Sequence, residues 1–264
     1  MEAIPGLIRA YNEDQWREAW TYTPKLSKLV RQIETGHRCS HRESLYRAAY
    51  FVAGRLYDEG FSLFQNGGQP LLKRQREAWT DEILFHSPNT GAPGFFSPVS
   101  VEIIVSLDSM RAVREKYCRS CAMVPAFVAS ANVGQFEIPP SKILWNLENE
   151  ACYEEIATLV YESGLAWIEE LSDPVGIEDK VIAHCLPNVD DTTGLEMVLA
   201  LGGRNSAARV VRTWRQEPVV GARIDQHLHE LSRTFGPVYR GEDSEQNLAV
   251  LCVCYDLLGP QRRR

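Results

Sequence analysis

The chain has 264 residues, of which 44% are hydrophobic and 24% charged, with a formal net charge of −7. That composition suits a globular fold of one large domain or two small ones, with room for a sizeable core. The negative balance repels phosphate backbones, and the one basic cluster, Arg262–Arg263–Arg264, reads as a solvated tail, so nucleic acid is not an expected partner.

No apolar run approaches the roughly 20 residues of a membrane helix, and no membrane partner is expected. The opening "MEAIPGLIRAYNEDQW" has an acid at position 2 and no basic stretch, unlike a secretory signal. Seven cysteines without a small secreted framework point to reduced thiols in a cytosol.

In chain order, "TPKLSKLVRQIETG" is punctuated as a helix, with Thr23 as cap, Pro24 in the first turn and Gly36 at the exit. "SHRESLYRAAYFVAGRLYDEG" follows, with Ser40 and Glu43 at capping-box spacing and Leu45, Ala49, Val52 and Leu56 along one face. Two helices joined by a short loop make an N-terminal helical hairpin. "FSLFQNGGQPLLKRQ" then reads as a β-hairpin about Asn66–Gly67–Gly68, and "AWTDEILFHS" as another strand. "PVSVEIIVS" alternates, with Val99, Val101, Ile103 and Val105 on the side to be buried. A short helix from Asp108 or Ser109, a strand in "MVPAFVASANVGQFEI", a turn near Gly134 and a return strand complete the middle.

From Asn149 the period is helical, through "NEACYEEIATLVYESG" and "LAWIEELSDP" to a break at Pro174. Further helices are predicted over 176–185, 192–201, 205–215, 218–234 and 244–258, with Gly202–Gly203 separating two of them. Helices, then strands joined by short turns, then helices argue for α+β: an N-terminal helical hairpin, a central mainly antiparallel sheet and a C-terminal helical region. The expected division is an α+β domain over 1–174 and a helical subdomain over 175–264 packed on it.

Several segments share features with a known family. "LYDEGFSLFQNGG", "DEILFHS", "VSVEIIVS", "VASANVG", "LAWIEEL" and "LEMVLALGG", spread over about 45–215, together resemble an uncharacterised bacterial family catalogued as domain of unknown function 4304. The resemblance implies a protein-binding role of the immunity or antitoxin kind, and it carries no active-site residues to transfer.

The sharpest chemical pattern is Cys118 and Cys121 in "EKYCRSCAMV". Together with His37, Cys39 and His41 in "GHRCSH" they supply enough ligands for a tetrahedral zinc site. Two small apolar residues on one helix face is the default reading of the same pair. A thioredoxin-like role has the wrong polarity, since the pair closes a helix instead of opening one. His227 and His229 lie two apart on a predicted helix and diverge, and Cys252 and Cys254 do likewise. His184 and Cys185 are adjacent in sequence, which is not the spatial pairing a Cys–His nucleophile needs. Glycine-rich phosphate loops, H-E-x-x-H and G-x-S-x-G are absent.

The remaining pattern points to binding. "HSPNTGAPGFFSP", from His86 to Pro98, is a proline-stiffened loop presenting Phe95 and Phe96, with a plug under the loop as the alternative role for one ring. Glu150 and Glu154, one helical turn apart, offer a negative face to a basic partner, or form an ordinary solvated surface. The leading expectation is a cytoplasmic bacterial protein that binds another protein with a basic surface, without a cofactor of its own. The alternatives are a metal-dependent enzyme built on the Cys/His set and an accessory protein that presents a peptide or substrate to a partner enzyme.

Overall fold

The computed structural model describes residues 41–66, 69–87, 98–117, 126–137, 140, 144–147, 149, 151–233 and 244–258. Within them the class is α+β, with an antiparallel sheet and helices on either side of it in the chain. The first helix of the expected N-terminal hairpin lies outside the described residues. Its second helix is present as α1 (His41–Arg55). Leu45, Ala49 and Val52 of α1, with Leu56 just beyond it, are buried, as their spacing predicts. The chain leaves the turn after α1 through Gly60 at φ 82, a left-handed value that glycine adopts without a Cβ clash.

The sheet follows the expected order. Strands β1 (Ser62–Asn66), β2 (Gln69–Arg76), β3 (Trp79–His86), β4 (Pro98–Leu107) and β5 (Phe127–Asn132) are neighbours in sequence order. A sixth, β6 (Trp145–Asn146), pairs antiparallel with the start of β4. The β1–β2 hairpin sets Leu63 opposite Leu72, and β2–β3 sets Lys73 opposite Glu82 and Arg74 opposite Asp81. Because strand side chains alternate between faces, Leu72, Ile83, Phe85 and the four alternating residues of β4 fall on one buried face. Val99, Val101, Ile103 and Val105 are all fully buried, as predicted. After β5 the chain turns through a short 3₁₀ helix (Val133–Phe136), at the turn expected near Gly134. Asn132 caps it, its Oδ1 accepting the Gly134 N–H at 2.9 Å.

Helix α2 (Ser109–Tyr117) separates β4 from β5, and α3 (Ala151–Leu159) follows β6. A π turn (Val160–Gly164) links α3 to α4 (Leu165–Ser172), and the Leu165 N–H reaches the Val160 carbonyl. At Gly164 a Cβ would stand 2.5 Å from Ile103 Cδ1 on β4, so a larger residue requires that side-chain end to move. The C-terminal helices are α5 (Ile177–Ile182), α6 (Asp191–Trp214), α7 (Pro218–Arg233) and α8 (Ser244–Cys254). Helix α6 is broken at Gly203, whose φ 73 and ψ −173 belong to a region open only to glycine. The sequence places this interruption at the same Gly202–Gly203 pair.

The chain forms two compact units. One comprises Met1–Val105 with Ser130–Glu169, and the other Ser106–Ala129 with Glu170–Arg264. In the first, α1 packs on α3 and on β1 and β2. In the second, α6 packs on α2, α5 and α8, and α7 packs on α8. A buried ion pair ties α2 to α6 there: Arg114 Nη2 and Nε donate to Glu196 Oε2 at 2.7 and 3.0 Å, and the Tyr117 hydroxyl donates to Oε1. Among the described residues, no helix is long and apolar enough to cross a membrane.

Candidate functional site

The second face of the sheet in the first unit is built differently from the core face. Its side chains are half-buried and mostly polar, and they are matched across strands. Lys73 Nζ lies 3.2 Å from Glu82 Oε1, its opposite number in the β2–β3 register. Next along, Thr80 Oγ1 donates to Gln75 Oε1 at 2.7 Å. His86 Nε2 meets Glu102 Oε2 at 3.2 Å, linking β3 to β4, and Asn132 Nδ2 of β5 donates to Ser100 Oγ of β4 at 2.7 Å. Pairs of this kind stabilise a sheet by about 0.2–1 kcal/mol each.

This face is continuous with the base of the predicted recognition loop. His86 ends β3 and Pro98 begins β4, so the 86–98 segment leaves from and returns to the sheet beside the His86–Glu102 pair. Phe95 and Phe96 lie outside the described residues. So does Glu150. Glu154 sits on α3, exposed, with one oxygen 3.5 Å from Arg55 Nη2. In water such a pair is weak and easily exchanged.

The zinc reading falls largely on residues not described. Cys118, Cys121, His37 and Cys39 lie outside the described set, as does the side chain of His41, the first residue of α1. Among the described residues, no group of three or more His, Cys, Asp or Glu side chains is placed to hold a metal ion.

His184 and Cys185 occupy a helix exit in the second unit. The Cys185 N–H reaches the Lys180 carbonyl and the His184 N–H the Val181 carbonyl, at 3.0 and 3.2 Å, which is the Schellman pattern closing α5. His184 takes the left-handed position at φ 53, where glycine is the usual occupant. Its ring stacks on Trp214 with centroids 5.3 Å apart, and Nδ1 donates to Asp191 at 2.6 Å. Nε2 lies 3.7 Å from Glu217, so the two ring nitrogens address different carboxylates. Cys185 Sγ instead contacts the Ala183 carbonyl. The adjacent pair is thus a structural clasp, with the imidazole directed away from the thiol. Burial pushes the Cys252 thiol up to about 12, far from a reactive thiolate. His227 is partly buried and bonded to Glu230 one turn on, while His229 is exposed, so the two diverge as helix geometry requires.

No family model matches this chain, and neither a curated protein nor a solved structure does.

The residues that sequence reasoning missed are the cross-strand partners. Glu102 and Ser100 stand in the alternation as the polar side of β4. Their partners His86 and Asn132 become visible only once strand order and register are known.

Proposed function

We propose that this chain works by binding another protein, and that the polar face of the sheet, together with the loop rooted at His86 and Pro98, forms the contact surface. The observation that carries this reading is the row of cross-strand polar pairs from Lys73–Glu82 to Ser100–Asn132, with Lys73, Glu82, His86 and Glu102 partly exposed. Preformed polar groups lower the ordering cost of association. The net charge of −7 and the carboxylates Glu82 and Glu102 favour a partner with a basic surface, through faster encounter more than through affinity. Phe95 and Phe96 are the aromatic anchors this reading assigns to the loop. An inhibitory role of the immunity kind is its most concrete form.

The test is capture of a basic protein at fixed stoichiometry, followed by association kinetics. Glu82→Lys with Glu102→Lys is expected to slow association about tenfold at low salt, with dissociation changed little. Phe95→Ala with Phe96→Ala is expected to speed dissociation without lowering the melting temperature. Unchanged kinetics in both variants would remove the surface from the interaction.

A further inference from the structure

On the core side of the same hairpin, two arginines share one buried carboxylate. Arg74 and Arg76 lie two residues apart on β2 and therefore face the same way. Asp81 of β3, fully buried, accepts the Arg74 Nε–H at 2.8 Å and the Arg76 Nε–H at 2.7 Å through one oxygen. Its other oxygen accepts from Arg76 Nη2 at 2.9 Å. The Arg74 guanidinium also lies 4.8 Å above the Phe61 ring and donates to the Glu59 carbonyl. Arg74 is thus held through Nε and Nη1 and Arg76 through Nε and Nη2, which leaves one outer nitrogen of each, Arg74 Nη2 and Arg76 Nη1, for a further partner.

Those outer nitrogens converge on Glu169, at the end of the same unit. Arg74 Nη2 and Arg76 Nη1 both donate to Glu169 Oε1 at 3.3 Å, and Arg76 Nη1 is also 3.3 Å from Oε2. Charge-assisted bonds of this type are normally about 2.7–2.9 Å, the range the Asp81 contacts fall in. The Glu169 side chain is 60% exposed, against 8% for Arg74 and 0% for Asp81. One carboxylate therefore builds the pair of guanidinium groups, and the other rests against it loosely.

We propose that Arg74 and Arg76 form an oxyanion-binding fork, and that the Glu169 carboxylate is an internal occupant which yields to a carboxylate or phosphate group carried by a ligand. Two guanidinium groups with one buried counter-charge leave a local charge of +1 once Glu169 turns away. The planar donors match the oxygens of either oxyanion. A purely structural network would need Glu169 to close it, and would offer nothing to a competing anion.

The experiment follows arginine side-chain N–H signals of the full chain by NMR during titration with sodium phosphate, sodium acetate or sodium chloride at constant ionic strength. Saturable shifts of Arg74 and Arg76 are expected with phosphate and acetate but not with chloride. Glu169→Gln is expected to tighten binding about fivefold, the factor set by loss of its weak ion pairs to Arg74 and Arg76. Adding Arg76→Lys, which keeps a cation beside Asp81 but loses the fork, is expected to abolish it. Saturation at lower phosphate than acetate concentration assigns a phosphate-bearing ligand, and the reverse order a carboxylate-bearing one. Equal shifts with chloride, no tightening in Glu169→Gln, or undiminished binding with Arg76→Lys would overturn the proposal. Should the lysine variant not fold, the comparison of wild type with Glu169→Gln decides alone.

Discussion

Replacing Asp81 with Asn should separate the two carboxylates of the arginine cluster by their cost. Asp81 is fully buried and accepts three guanidinium hydrogen bonds, and Arg74 beside it is almost as deeply buried. Asn keeps the shape and one carbonyl acceptor but removes the charge, leaving two guanidinium groups against Glu169 alone. Breaking a buried ion pair from one side costs about 3–5 kcal/mol, because the surviving charge loses its counter-ion in a poorly solvated place. In a unit of this size, that loss lowers the melting temperature by roughly 10–15 °C. Glu169→Gln, at an exposed position with longer contacts, should cost at most about 1 kcal/mol. Both can be read from thermal and urea unfolding followed by circular dichroism, with a matched trace of total tryptophan fluorescence. Equal losses for the two variants would refute the ordering, and with it the claim that Asp81 alone builds the cluster.

Other expectations concern the second unit. His184→Ala should cost about 1–2 kcal/mol, since it loses the Trp214 stack and the Asp191 bond while keeping a left-handed backbone. His184→Gly relieves that backbone and should be about 1 kcal/mol more stable than the alanine variant in urea titrations, whereas identical midpoints would show that no strain is stored there. Stability should also fall at alkaline pH. The Cys252 thiol has its pKa raised by burial from 9.0 to about 12, so its contribution is complete below the unfolded value and is lost as pH rises from there towards the folded one. Between pH 8 and 10 the wild type should lose roughly 1 kcal/mol more than Cys252→Ala. Tyr255, whose pKa is also raised chiefly by burial, acts in the same direction. A pH profile identical in the two proteins would sink this assignment.

Much of the scaffold is legible in the residues. The alternation of β4, the pairing of β1 with β2 and the Gly202–Gly203 break each rest on a local rule: strand period, hairpin chemistry, or a backbone angle only glycine accepts. Long-range partners are not legible in the same way. Nothing near Arg74 in sequence announces Asp81, and a register one residue different would send the two to opposite faces. Glu169 lies 95 positions from Arg74, so its contact is a product of tertiary packing. The π turn at Val160–Gly164 is equally silent, because the apolar residues around it keep an ordinary helical spacing, and it shows itself only in the bond from the Leu165 N–H to the Val160 carbonyl. The exit at His184 misleads for the opposite reason: side-by-side His and Cys suggest chemistry, yet the strained backbone aims the imidazole at Trp214 and Asp191.

The interruption of α6 at Gly203 has a mechanical consequence. A continuous helix shares damage along its whole hydrogen-bond ladder, so fraying at one end weakens the other. Here the ladder is cut at Gly203, and the two segments are held by what they pack against. The first is seated against α5, where a Cβ on Gly194 would come within 3.2 Å of Val181 Cγ1. The second is pinned by Trp214, whose indole N–H donates to the Ile182 carbonyl at 3.3 Å. The joint therefore separates the two halves along the chain but not in their support: both rest on α5, and a lesion in α5 should speed amide exchange on both sides of Gly203.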